Sequence, residues 1–417
     1  MQRGILSGRI RRTAIPVCLG LTMLMISPLC GQQTSPLSFD PATVFDEVTD
    51  LVAEHFFDPE FDVESWNARA GSFRERALDA ASHDDFSRVM AELLATLETS
   101  HTAYFSRLNP RRYQLLSVFH QVFEGQPDDL FVYEGIGIDT RSRADGVFVS
   151  AVFDGLPADQ AGLQFGDRLV SVDGQPFHPI NSFRGKSGQT VAVTVERQGR
   201  QTAIPVVPRA LDGRTMFRTA MQDSVRVIER GDQRIGYVHV WSYAGTDYQE
   251  SLRSLVLWGD LASCDSLALD LRDGWGGADL NYVNLFRPPI VEIETASRGA
   301  PEQTYTGVWG KPVALITNRG STSGKELYTY AFRKLGLGPV VGETTAGAVV
   351  AGRCFLLSNG DALYLAVTDI RVDGHRIEGQ GISPDQVVPR PLETADGSDP
   401  QLEAALQVLS AEPSAGR

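Results

Sequence analysis

Ser100-His101 and Ser323-Gly324-Lys325-Glu326 stand more than two hundred residues apart, and both hold residue types suited to hydrolysis. A serine hydroxyl can attack a carbonyl carbon, and an imidazole is the usual base for such a serine. Ser323 is expected to follow a buried strand and open a helix. There, free backbone N–H groups and the positive dipole end suit a developing oxyanion. Ser100-His101 is expected just past the last turn of an amphipathic helix. Serine-type hydrolysis requires the two places to meet in space.

The chain has 417 residues, enough for two or three domains. An apolar fraction of 42% and 40 glycines fit a globular α/β protein with many turns. The net charge of −14 argues against nucleic acid as a partner, because phosphate binding needs basic clusters. Lysine is scarce: only Lys186, Lys311, Lys325 and Lys334 occur. Arg3, Arg9, Arg11 and Arg12 precede an apolar run from Ala14 to Cys30 that Pro16 and Pro28 interrupt, so residues 1–31 read as an export signal. The expected location is the periplasm or cell envelope. Cys30 is a candidate lipid attachment point, although Ser27-Pro28-Leu29 is a poor lipobox, and any membrane anchoring would run through this segment alone. Cys264 and Cys354 read as buried thiols, with a disulfide left open. No CxxC or His-rich spacing suggests a metal, and no cofactor is implied.

Residues 32–129 read as a mainly helical region. Asp40-Pro41 is an N-cap and first helical residue, followed by Phe45, Val48, Leu51, Val52 and Phe56 at helical spacing. A second helix is expected over Trp66 to Ala80. A third opens at Ser82 with Asp85 three residues on, a start like a capping box.

Residues 130–208 change character. Gly135-Ile136-Gly137-Ile138, then Leu156–Leu163 (LPADQAGL), then Gly166–Gly174 (GDRLVSVDG), resemble the landmarks of a PDZ domain. A dinucleotide fingerprint is excluded, because the third glycine and the long helix are missing. The resemblance implies that the Gly135–Ile138 loop offers backbone N–H groups to a peptide carboxylate, with the peptide added as a strand. The alternative is a structural module that binds nothing.

Residues 209–392 read as an α/β core. Leu267–Leu271 and Val313–Thr317 are short apolar runs of the kind found in strands buried on both faces. Asn359-Gly360 marks a hairpin. Residues 393–417 read as a helix from Gln401 to Leu409 and a disordered tail.

Leu97-Glu-Thr-Ser-His101, Asp270-Leu-Arg-Asp-Gly-Trp-Gly-Gly277, Asn318–Leu327, Gly342-Glu-Thr-Thr-Ala-Gly347 and Glu378–Asp385 together resemble the C-terminal processing (tail-specific) peptidase family over residues 40 to 409. The resemblance implies an α/β fold with a crotonase-like layered protease core, a helical N-terminal region and an inserted PDZ domain. It also implies that Ser323 is the nucleophile; Ser321 competes for that role, and a plain helix N-cap is the bland reading of a serine there. Family members with a serine–lysine dyad carry the lysine right after the last glycine of the GExTxG motif. Here Ala348 stands in that place. Lys325 lies two residues past Ser323, and i,i+2 side chains do not face one another on a helix. Lys334 returns to the same face only roughly 16 Å along the axis.

The chain therefore resembles the tricorn-type branch with its serine–histidine–serine–glutamate tetrad. That resemblance assigns His101 as general base, Ser100 and Glu378 as orienting groups, and the N–H groups of Gly276 and Gly324 as the oxyanion hole. His375 is a rival base in a turn-like context. The expected activity is endopeptidase cleavage of unfolded polypeptides or protein C-termini. Two alternatives remain: a non-catalytic peptide- or hydrophobic-ligand-binding protein on the same fold, and a serine–lysine enzyme with a relocated lysine.

Overall fold

The computed structural model describes residues 39–299, 301–392 and 397–411. The candidate export signal with Cys30, and the last six residues of the tail, lie outside the described residues. Among the described residues no helix is long and apolar enough to cross a membrane.

Three helices come first among the described residues, Pro41–His55, Val63–Leu78 and His83–Ala95. Each begins on an oxygen-bearing cap. Asp40 accepts from Ala42 N–H, Asp62 from Glu64 and Ser65, and Ser82 from Asp85. The second helix starts three residues before the expected Trp66 because Asp62 caps it there, accepting the N–H groups of Glu64 and Ser65. Val48, Val52, Trp66, Phe86, Met90 and Leu93 form one apolar face, closed from below by Leu357, Leu363 and Leu365 of a later hairpin. That hairpin, Ala351–Leu356 with Ala362–Thr368, pairs on its free side with Ala103–Phe105. The N-terminal region is mainly helical as expected, and it also holds the strand Ala103–Phe105, three residues long and too short for periodicity to show.

Residues 138–206 form an antiparallel sheet, with Ile138–Arg143 at one edge, then Gly146–Val152, Arg168–Val172, Val191–Arg197 and Arg200–Val206. Within LPADQAGL lies the short helix Pro157–Gln160.

The core sheet runs in the order Arg226–Arg230, Gln233–His239, Ser266–Asp270, Val313–Thr317, Val340–Gly342, Gln386–Val387. Its first pair is antiparallel and the other pairs are parallel. Ala268, Ala314 and Ile316 face the helix Pro400–Ala411, while Leu267, Leu269 and Leu315 face the main core. Burial on both faces is why these runs carry no polar alternation. The C-terminal helix is longer at both ends than the expected Gln401–Leu409. Cys264 and Cys354 are both buried free thiols.

The N-terminal helices are also fastened by a buried carboxylate. Asp361 accepts from the Arg107 N–H at 2.8 Å and Asn359 Nδ2 at 2.6 Å, contacts His83 Nε2 at 2.7 Å, and accepts from the Tyr104 hydroxyl. Burial opposes its ionisation, but the bonds from His83 and Tyr104 outweigh this and hold its carboxyl below the usual range. Its stabilisation is therefore present above the unfolded carboxylate value of about 3.9 and fades as pH falls through the lower folded value. Asp361→Ala should cost about 3 kcal/mol in urea unfolding at pH 7, because it strands buried donors. A variant with an unchanged unfolding midpoint would refute this role.

Candidate active site

Ser323 sits between the strand Val313–Thr317 and the helix Gly324–Lys334, as its N-cap. Its backbone is strained, with φ 56° and ψ −123°, a region costly for a residue with a Cβ. The surroundings hold it there. Its N–H donates to Ala348 O at 2.8 Å and Glu326 Oε2 at 3.2 Å. Glu326 is fully buried and also receives Thr345 Oγ1 at 2.6 Å, Gly347 N at 2.8 Å and Ala348 N at 2.7 Å. Burial pushes its carboxyl up, and these donors work against that shift. One carboxylate thus lashes the helix start to the Gly342–Gly347 loop. The sequence signal for it was the Ser-x-x-Glu spacing from Ser323.

The segment Gly276-Gly277 lies against the Ser323 turn. A Cβ on Gly276 would stand 2.6 Å from Thr322 O, 2.8 Å from Ser323 Cβ and 2.9 Å from Gly324 N. A Cβ on Gly324 would stand 2.7 Å from Gly277 N. Only glycines permit this approach, and it brings the two expected oxyanion donors, Gly276 and Gly324, side by side.

His101 comes from the other half of the chain, also at positive φ (54°). Its Nδ1 lies 2.9 Å from Ser100 Oγ, which lies 3.0 Å from Glu378 Oε2. Glu378 also accepts the Ser100 N–H at 2.9 Å and the Val349 and Val350 N–H groups at 2.7 and 3.2 Å. Burial disfavours its charge, but these backbone and hydroxyl donors win and hold its carboxyl low. An ionised Glu378 has no proton to give, so Ser100 donates to it and accepts from His101 Nδ1–H. That assignment leaves the Nε2 lone pair available. Burial pushes the imidazole down to about 4 against the opposing pull of Glu378, so it is neutral at pH 7.

Ser100, His101, Gly276, Gly277, Ser323 and Ala348 line one cavity of about 560 Å³, together with Phe105, Phe119, Trp275 and Tyr364. The structure thus brings the two distant segments into one cavity. His101 and Ser323 face it without a hydrogen bond between them among the described residues, as in many apo sites. The rivals lie elsewhere. Ser321 is buried and donates to Leu271 O. His375 lies in the exposed pair His375–Arg376. Lys325 is fully buried, with Nζ on Asp273 O at 2.7 Å and Trp241 O at 3.4 Å, and does not line the cavity. Burial pushes its amine down to about 7. Gly135, Ile136, Gly137 and Ile138 line a second cavity of about 330 Å³, and Arg111 lines both.

Residues 234–388 match the description Peptidase family S41, residues 135–206 match PDZ domain, and residues 40–95 match Tricorn protease C1 domain. A carboxyl-terminal-processing protease of Synechocystis sp. is 25% identical over 379 residues, covering 86% of this chain and 84% of that protein. A putative tricorn protease homolog 2 of Streptomyces coelicolor is 28% identical over 400 residues, covering 88% of this chain but 32% of the relative. The crystal structure of the tricorn protease shares the fold at TM-score 0.51 and 18% identity, over 89% of this chain and 36% of that one.

Gly276→Ala should displace the Ser323 turn. The reactivity of Ser323 toward a fluorophosphonate should fall more than about tenfold while circular dichroism still reports a folded chain. Unchanged labelling would show that the close approach has no bearing on that serine.

Proposed function

We propose that this chain, which carries an S41 peptidase domain and is a serine-type peptidase, cleaves unfolded polypeptides or protein C-termini through an acyl-enzyme on Ser323, with His101 as general base. The single observation that carries the reading is the shared cavity of His101 and Ser323, with the imidazole held by Ser100 and Glu378. In the first step Ser323 Oγ attacks the scissile carbonyl carbon and His101 Nε2 takes its proton. The oxygen of the tetrahedral intermediate takes N–H bonds from Gly276 and Gly324. His101 then gives its proton to the leaving amine as the C–N bond breaks. Water attacks the acyl-enzyme by the same route in reverse, losing a proton to His101, and Ser323 leaves with that proton. Ser100 and Glu378 position the ring and set its tautomer. The carboxyl-terminal-processing relatives support a substrate end as the point of entry. The edge strand Ile138–Arg143, beside the Gly135–Ile138 loop, supports capture of that end by strand addition.

The lysine alternative is disfavoured by Lys325, whose amine is committed to two carbonyls outside the cavity. Ser323→Ala and His101→Ala should each lower kcat on casein or a fluorogenic peptide by about a thousandfold or more, whereas Lys325→Met should retain most of it if folded. Full activity in His101→Ala, with loss in a folded Lys325→Met, would replace the tetrad by a dyad. Peptide binding with no cleavage by the wild type would favour a binding scaffold.

A further inference from the structure

The catalytic cavity carries one fixed charge. Among its described lining residues there is no Asp, Glu or Lys, and Arg111 is the one arginine. Much of the remaining wall is apolar or aromatic, with Ala103, Phe105, Val118, Phe119, Trp275 and Tyr364, while His120 and Gln121 add polar groups. A lone guanidinium in such a wall is notable in a chain with net charge −14.

Arg111 lies in the first turn of the helix Pro110–Val118. Its guanidinium stacks 4.8 Å above the Trp275 ring, and Trp275 directly precedes Gly276. The platform is itself fixed, because Trp275 Nε1 donates to Gln114 Oε1 at 3.0 Å. The same buried Gln114 donates through Nε2 to Asp139 Oδ1 at 3.2 Å. Asp139 is also the ion-pair partner of Arg111, at 3.6 Å, beyond hydrogen-bond reach. Gln114 thus keeps Asp139 partnered if the arginine turns away. The Arg111 side chain is 42% exposed and makes no guanidinium hydrogen bond among the described residues. Its planar fork of donors can leave the long Asp139 ion pair to take a carboxylate in two parallel bonds, and the aromatic face below restricts its swing.

We propose that Arg111 is a specificity-determining residue: it binds a substrate carboxylate within the catalytic cavity, close to the Gly276-Gly277 segment. The carboxylate is either the free end of a short C-terminal segment or an acidic side chain near the scissile bond. This inference rests on the Ser323 hydrolase reading.

Arg111 also lines the Gly135–Ile138 groove, so the test uses the full chain and protection of Ser323, which lines the first cavity alone, from a small fluorophosphonate. N-acylated tetrapeptides with a free C-terminal carboxylate are compared with their amides, and with amides carrying an internal aspartate. At least one carboxylate form should protect about tenfold better than the uncharged amide, and Arg111→Gln should erase the difference. Protection by the free-ended peptide alone assigns the chain terminus; protection by the aspartyl amide alone assigns a side chain. Arg111→Glu should instead favour peptides ending in lysine amide, a reversal that misfolding does not produce. Equal protection by carboxylate and amide in the wild type, or a preference that survives in Arg111→Gln, overturns the proposal. A wild type that is never labelled at Ser323 would remove the hydrolase reading and this inference with it.

Discussion

One carboxylate joins the two halves of this molecule. Glu378 takes N–H and hydroxyl donors from Ser100, in the segment after the third helix, and backbone donors from Val349 and Val350 in the core. Those segments are 278 positions apart in the chain for Ser100 and 29 for Val349. A charged acceptor with several donors is worth more than a neutral bond, and its loss leaves all of them stranded. Without it the imidazole would have neither a fixed tautomer nor a fixed direction. The rest of the site presupposes that clasp.

The clasp works because the backbone on both sides is held in costly conformations. Ser323 and His101 both have positive φ without being glycine. Such residues cost on the order of 1–3 kcal/mol each and persist only where the surroundings overdetermine them. At Ser323 the surroundings are Glu326 with its donors and the Gly276-Gly277 segment. At His101 they are Ser100, Glu378 and the Tyr364 ring, 5.0 Å away between centroids. Asp361 does the same for the helices that carry the Ser100 segment. Three buried or half-buried carboxylates therefore set the geometry, and each is matched to a separate stretch of the fold.

Much of this was legible in the sequence, and the reasons differ by element. The caps Asp40 and Ser82 were readable because a helix N-terminus needs a side-chain acceptor, which is a local demand. The two-faced strands were readable because burial on both sides removes alternation. Ser323, His101 and Glu378 could be named through motif resemblance, since nothing local reveals that they share a site. Glu326 was visible only as capping-box spacing. Its bonds to Thr345 and Ala348 are tertiary, and no spacing encodes them. The strand Ala103–Phe105 exists through its pairing with Ala362–Thr368, so its own three residues could not announce it. The Arg111–Trp275–Gln114 arrangement was hidden for the same reason, because its members come from two distant segments and the cavity appears only when both are placed.

The central claim is that an imidazole, not an amine, activates the serine. Burial sets the two candidates far apart: His101 is pushed down to about 4, and Lys325 is pushed down to about 7. A base works only when unprotonated, so the rate falls as pH drops through the value of the group in charge. The most direct measurement is the rate constant for phosphonylation of Ser323 between pH 3 and 9, with folding followed in parallel. The account predicts a rate that holds down to about pH 5 and declines with a midpoint about 4. A decline with a midpoint about 7 that vanishes in a folded Lys325→Met chain would contradict it.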